Sequence, residues 1–119
     1  MTPARLRKHC LSLPGAECMV QWGDDQIYKI AGKMFAATDK ACAHISFKCS
    51  DEAFHVLVES GVAVPAPYLA RAKWVQVTPE ALPEDELRQR ITQAYAIVRS
   101  KLTRKLQAAL PPFEAGSLP

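Results

Sequence analysis

A chain of 119 residues with 49% hydrophobic and 23% charged side chains has the make-up of one soluble globular domain, long enough to bury roughly two thirds of its unfolded surface. That composition excludes a disordered chain and a collagen-like repeat, and no apolar run approaches the roughly 20 residues a membrane helix requires. The 15 Lys and Arg against 12 Asp and Glu leave a formal charge of +3, which permits an anionic partner but falls short of a dedicated nucleic-acid coat.

In chain order, Thr2-Pro3 offers a hydroxyl cap and a proline for the first helical turn. Leu6, Cys10 and Leu13 recur at helical spacing up to Pro14-Gly15, with Arg5, Arg7 and Lys8 on a solvated face. The N-terminus lacks the apolar core of a signal peptide, so a cytoplasmic location is expected. From Ala16 the period changes to two: Cys18, Val20 and Trp22 alternate with Glu17, Met19 and Gln21. Further strands are expected over Ile27–Ala31, Met34–Thr38 and Ala43–Lys48, joined by turns at Gly23-Asp24-Asp25 and Gly32-Lys33. Such a meander makes an antiparallel sheet with one wet face.

Ser50 caps a second helix with Asp51 and Glu52 in its first turn, and Gly61 stops it. A fifth strand is expected over Lys73–Val77. The last helix begins near Pro83, carries Glu84, Asp85 and Glu86 at its start, and Arg99, Lys101, Arg104 and Lys105 at its end. Its stripe of Leu87, Ile91, Ala94, Tyr95, Val98 and Leu102 is the main partner for the sheet. The pattern predicts an α+β two-layer sandwich of about five antiparallel strands over residues 1–110, followed by a loose tail over 111–119.

The four cysteines show no C-x-x-C pair, so reduced and mostly buried thiols are expected; the one metal-like grouping is Cys42, His44 and Cys49. No phosphate loop, nucleophile elbow or zinc-protease motif is present, and the three histidines, His9, His44 and His55, fall in no catalytic pattern. The expectation is a protein that is not an enzyme and needs no cofactor or metal.

The most information-rich stretch is Gly61–Thr78. Pro65 and Pro67 stiffen it, while Tyr68, Arg71, Lys73 and Trp74 crowd into one connection. Trp74 and Leu69 could equally plug the edge of the core. Pro65-Ala66-Pro67-Tyr68-Leu69-Ala70-Arg71-Ala72-Lys73-Trp74-Val75, preceded by Gly32-Lys33-Met34-Phe35-Ala36 and Ile45-Ser46-Phe47-Lys48-Cys49, resembles the MmcQ/YjbR family of small bacterial proteins. The resemblance extends from Leu13-Pro14-Gly15-Ala16-Glu17 to the helix around Tyr95. It implies a double-wing, CyaY-like (frataxin-like) fold and DNA binding. Two positions depart from the family pattern: Lys73 stands where His is common, and Ala94 where Ser is common. A role for that His therefore does not transfer. Iron handling, which a frataxin-like fold brings to mind, lacks the clustered oxygen donors it would need.

Lys29, Lys33, Lys40, Lys48, Arg71 and Lys73 all fall on or beside strands and turns, where they could lie along phosphates. The expected function is weak or sequence-nonspecific DNA binding: Lys33, Lys48, Arg71 and Lys73 contact phosphates, and Tyr68 and Trp74 shape the site or stack on bases. The alternative is a small module that binds a protein or peptide through the Pro65–Val75 loop. The first reading expects the six cations on one face; the second expects them dispersed around an apolar patch at Tyr68 and Trp74. A monomer without membrane attachment is expected in either case.

Overall fold

The computed structural model describes residues 1–21 and 23–113; Trp22, expected at the end of the first strand, and residues 114–119 of the expected loose tail lie outside the described residues. The elements run α1 (Pro3–Ser12), β1 (Ala16–Gln21), β2 (Asp25–Ile30), β3 (Lys33–Thr38), β4 (Ile45–Lys48), α2 (Asp51–Glu59), β5 (Val64–Pro65), a 3-10 turn (Ala70–Ala72), β6 (Trp74–Val77), α3 (Glu84–Ser100) and α4 (Arg104–Ala109). The six strands form one antiparallel sheet in the order β1-β2-β3-β4-β6-β5.

Register decides which side chains meet the helices. One row across the sheet is Cys18, Tyr28, Ala36, Phe47 and Val75, and the next is Val20, Gln26, Thr38, Ile45 and Val77. Tyr28, Ala36, Phe47, Val75, Ile45 and Val77 pack with Leu6 and Cys10 of α1 and with Leu87, Ile91, Ala94 and Tyr95 of α3. A bulge between Tyr28 and Lys29 places Phe35 beside Ala36, and Phe35 meets Tyr95 edge-to-face at 5.4 Å. The alternate row, Met19, Ile27, Ala37, Ser46, Gln76 and Val64, lies on the outer face. Ile27 is buried there, apart from the main core.

The expected caps are in place. Thr2 Oγ1 accepts from Arg5 N at 3.2 Å, and Ser50 Oγ accepts from Ala53 N at 3.1 Å. Gly15 has φ +74°, and a Cβ on it would fall 2.8 Å from the Leu110 side chain, so glycine is required both for the turn and for the approach of the C-terminal segment.

Two elements differ from expectation. The short strand β5 makes the sheet six-stranded; Val64 and Pro65 pair with Gln76 and Val75 at the sheet edge, where proline is tolerated. The last helix also ends at Ser100, and Thr103 starts α4 by accepting from Leu106 N at 3.2 Å. The Gln107 amide bridges the break by donating to the Leu102 carbonyl at 2.7 Å. The first residues of the expected tail are anchored: Arg99 Nη2 donates to the Pro111 carbonyl at 2.7 Å, and Phe113 packs edge-to-face on Tyr95 at 4.9 Å.

Candidate nucleic-acid interface

The antiparallel order sends charges of opposite sign to opposite ends of the sheet. Ile30 pairs with Lys33 and Lys48 with Trp74 at one end; Gln26 pairs with Thr38 and Ile45 with Val77 at the other. Lys29, Lys33, Lys48, Arg71 and Lys73 therefore gather at the first end. The second end carries Asp24 of the β1–β2 turn, Asp25 at the start of β2, Asp39 after β3, and Glu80, Glu84, Asp85 and Glu86 before and in the first turn of α3, where Glu84, Asp85 and Glu86 are paired with arginines. Lys40, which the sequence grouped with the other five cations, follows Asp39 and sits at the acidic end.

The connection between β5 and β6 forms the centre of the basic end and is fastened by its own backbone. Ala66 N donates to Trp74 O at 3.0 Å, Trp74 N to Leu69 O at 3.2 Å, and Cys49 N to Lys73 O at 2.8 Å. Lys73 itself adopts the left-handed conformation, φ +62°, and closes the 3-10 turn. Its ammonium lies over the Phe54 ring of α2, 5.0 Å from the centroid. The Lys48 ammonium donates to the Ala72 carbonyl, which ties β4 to the same loop.

Lys48 is half-buried, and burial lowers its pKa; the neighbouring charges of Lys101 and Lys73 lower it further, against Asp51. The shift places Lys101, at the end of α3, in the same electrostatic neighbourhood. In the sequence Lys101 reads only as a charge complementing the helix dipole; the packing of α3 along the sheet brings it towards Lys48. Glu17, Asp51 and Glu52 are the acidic residues that share this end.

The two aromatic candidates part company. Trp74 is 4% exposed, so it supports the loop from beneath and presents no ring to stack on a base. Tyr68 is wholly exposed and has φ +65°, uncommon for a bulky side chain. Arg71 is exposed beside it. Lys48, Lys73 and Lys101 are thus linked at this end, with Tyr68 and Arg71 exposed on the adjoining loop and Trp74 buried beneath it; Lys29 and Lys33 lie at the same end of the sheet.

Other polar groupings are explained by structure. Asp39 Oδ1 accepts from Ala43 N at 2.7 Å, and its Oδ2 lies 3.2 Å from His44 Nδ1, which therefore carries the proton. Asp39 accordingly braces the β3–β4 loop. Cys42 and Cys49 are buried in the core whereas His44 is exposed, so the metal-like grouping of the three does not form. Among the described residues no cluster of three or more His, Cys, Asp and Glu side chains could hold a metal ion. All four cysteines are free, and burial raises the Cys49 thiol to about 11. A cleft between α1 and α3 is lined by Arg5, Lys8, His9, Ser12, Glu84 and Arg88. Its two guanidinium groups are held by Glu84, at 3.2 and 3.1 Å.

The architecture is a two-layer α+β sandwich that offers a basic surface at one end of its sheet. The chain belongs to the YjbR family, whose model matches residues 11–97. Among solved structures it is similar to Deinococcus radiodurans protein DR2400, described as carrying a DUF419 domain, with a TM-score of 0.83 and 25% identity over 98% of this chain and 94% of that one. No curated protein matches the sequence. Among the described residues no helix is long and apolar enough to cross a membrane.

Proposed function

We propose that this protein is a non-enzymatic, sequence-nonspecific DNA-binding protein that engages phosphates through the basic end of its sheet. The observation that carries the reading is the clustering of cations: Lys29, Lys33, Lys48, Arg71 and Lys73 lie at one end of the sheet, with Lys73 and Lys101 near enough to act on Lys48, while the seven carboxylates at the far end include Glu84, Asp85 and Glu86, which are paired with arginines. Burial first, and the charges of Lys101 and Lys73 after it, disfavour the charged form of Lys48 in the unliganded protein. A bound phosphate offsets that cost, and release of condensed counterions adds to affinity irrespective of base sequence. Family membership is in keeping with this reading.

The test is fluorescence anisotropy of a labelled random duplex, with the wild type beside Arg71→Glu/Lys73→Glu. Affinity that falls steeply with salt and disappears in the double variant is the expected result. A wild type that leaves duplex and single strand alike unbound at low salt removes the reading. The exposed side chains of Val56, Val64 and Tyr68 would then favour a protein or peptide partner at the Pro65–Val75 loop.

A further inference from the structure

Tyr68 is placed in a way that its own fold does not use. Its ring is wholly exposed, and its backbone stands in the left-handed region at φ +65°. The residues on either side are fixed: Pro67 precedes it, Leu69 N donates to Ala66 O at 3.1 Å, and Ala72 N donates to Leu69 O at 3.1 Å. Buried Trp74 lies beneath the same loop. A bulky residue in a sparsely populated conformation normally recovers that cost through packing, and an exposed ring recovers nothing from this chain. The result is a planar ring held out from a rigid base, flanked by Arg71 and Lys73 and within the lysine-rich end of the sheet.

Resting on the DNA-binding reading, we propose that this end prefers single-stranded DNA, with the Tyr68 ring stacked on an unpaired base and Arg71 and Lys73 on the adjoining phosphates. Both faces of a base inside a duplex are covered by its neighbours, and opening a step costs about as much as one aromatic stack returns. An unpaired base presents its face without that cost. Stacking is also indifferent to base identity, in keeping with a phosphate-driven site.

The experiment compares oligothymidylate of about 12 nucleotides with a duplex of the same length, titrated against wild type, Tyr68→Ala and Tyr68→Phe, a length within the range one small domain covers. The expected result is tighter binding of the single strand, weakened roughly tenfold or more in Tyr68→Ala and retained in Tyr68→Phe, with duplex affinity unchanged in both. Because the ring makes no packing contact, both variants should match the wild type in circular dichroism. Equal affinity for the two probes with no effect of Tyr68→Ala would overturn the single-strand preference and leave phosphate binding standing. Loss in Tyr68→Phe as well would overturn the stacking role, because the ring is still present. Failure of the wild type to bind either probe would overturn the inference together with the reading beneath it.

Discussion

Tyr95 joins three parts of the chain that are far apart in sequence. Its hydroxyl donates to the Pro14 carbonyl and accepts from Arg99 Nη1 at 2.8 Å, while its ring meets Phe35 and Phe113 edge-to-face at 5.4 and 4.9 Å. Tyr95→Phe keeps the ring pairs but leaves the Pro14 carbonyl and the Arg99 guanidinium without this partner. A loss of about 1–2 kcal/mol is expected, read from the midpoint of urea unfolding at unchanged slope. Truncation to Ala also opens a core cavity and should cost about 3–5 kcal/mol. The position of Tyr95 on the apolar stripe of α3 was legible from spacing alone. Its distant partners Pro14, Phe35 and Phe113 were not, because such contacts, the longest spanning 81 residues, leave no local periodicity. The same limit applies to Lys48, a strand-end lysine in the sequence, whose burial and tie to Ala72 follow from the way the β5–β6 loop folds back.

At the level of elements, the caps, the alternation of strands β2 to β4 and the acidic first turn of α3 could be read, since each is a local signal within a few residues, whereas Arg104 and Lys105, expected at the end of α3, open α4 instead. The strand β5 could not: two residues, one a proline, carry no period, and they pair only because α2 returns the chain to the edge of β6. The α3–α4 break was hidden by a stripe that continues through Leu102, although Thr103 has the chemistry of a cap.

The packing of α1 on α3 also carries a pH response. Thr92 Oγ1 gives its one proton to the Arg88 carbonyl at 2.9 Å, so it accepts from His9 Nε2 at 2.8 Å. Burial lowers the His9 pKa below 6.5; a backbone hydrogen bond with Arg88 opposes this, and the Arg88 charge adds to it. The unfolded chain therefore binds a proton that the folded chain resists. Stability should decline as pH falls from 6.5 towards the folded-state value and level off below it. Glu84 and Asp39 act only at lower pH. Burial would raise each, but Arg5 and the N-terminal ammonium hold Glu84 below 4.5, and Ala43 N and His44 hold Asp39 below 3.8. Thermal unfolding of the wild type and His9→Gln across roughly pH 5 to 7, which brackets the usual histidine value, should show the slope only in the wild type.

At the scale of the whole molecule, a formal charge of +3 conceals an uneven distribution: cations cluster at one end of the sheet, while the far end mixes carboxylates with Arg5, Arg88 and Lys40. Composition could not reveal it, since a sum is blind to position; it emerges because each antiparallel turn returns the chain to a definite end of the sheet. The basic end should draw a polyanion towards Lys33 and Arg71, making binding a matter of local field rather than net charge. The consequence is quantitative. With Lys29, Lys33, Lys48, Arg71 and Lys73 all on phosphates of a duplex, log Kobs against log salt should slope at about −4.5, and at about −3.6 if Lys48 remains on the Ala72 carbonyl. A fourfold rise in salt would then weaken binding by about two orders of magnitude. Arg71→Glu/Lys73→Glu removes two of these contacts and should flatten the slope by about 2, whereas reversing Lys40, at the acidic end, should leave it unchanged. A slope near −1 for the wild type, or equal flattening by Lys40→Glu, would mean that charge is felt only through the molecule's total, and the basic end would lose its claim to be the interface.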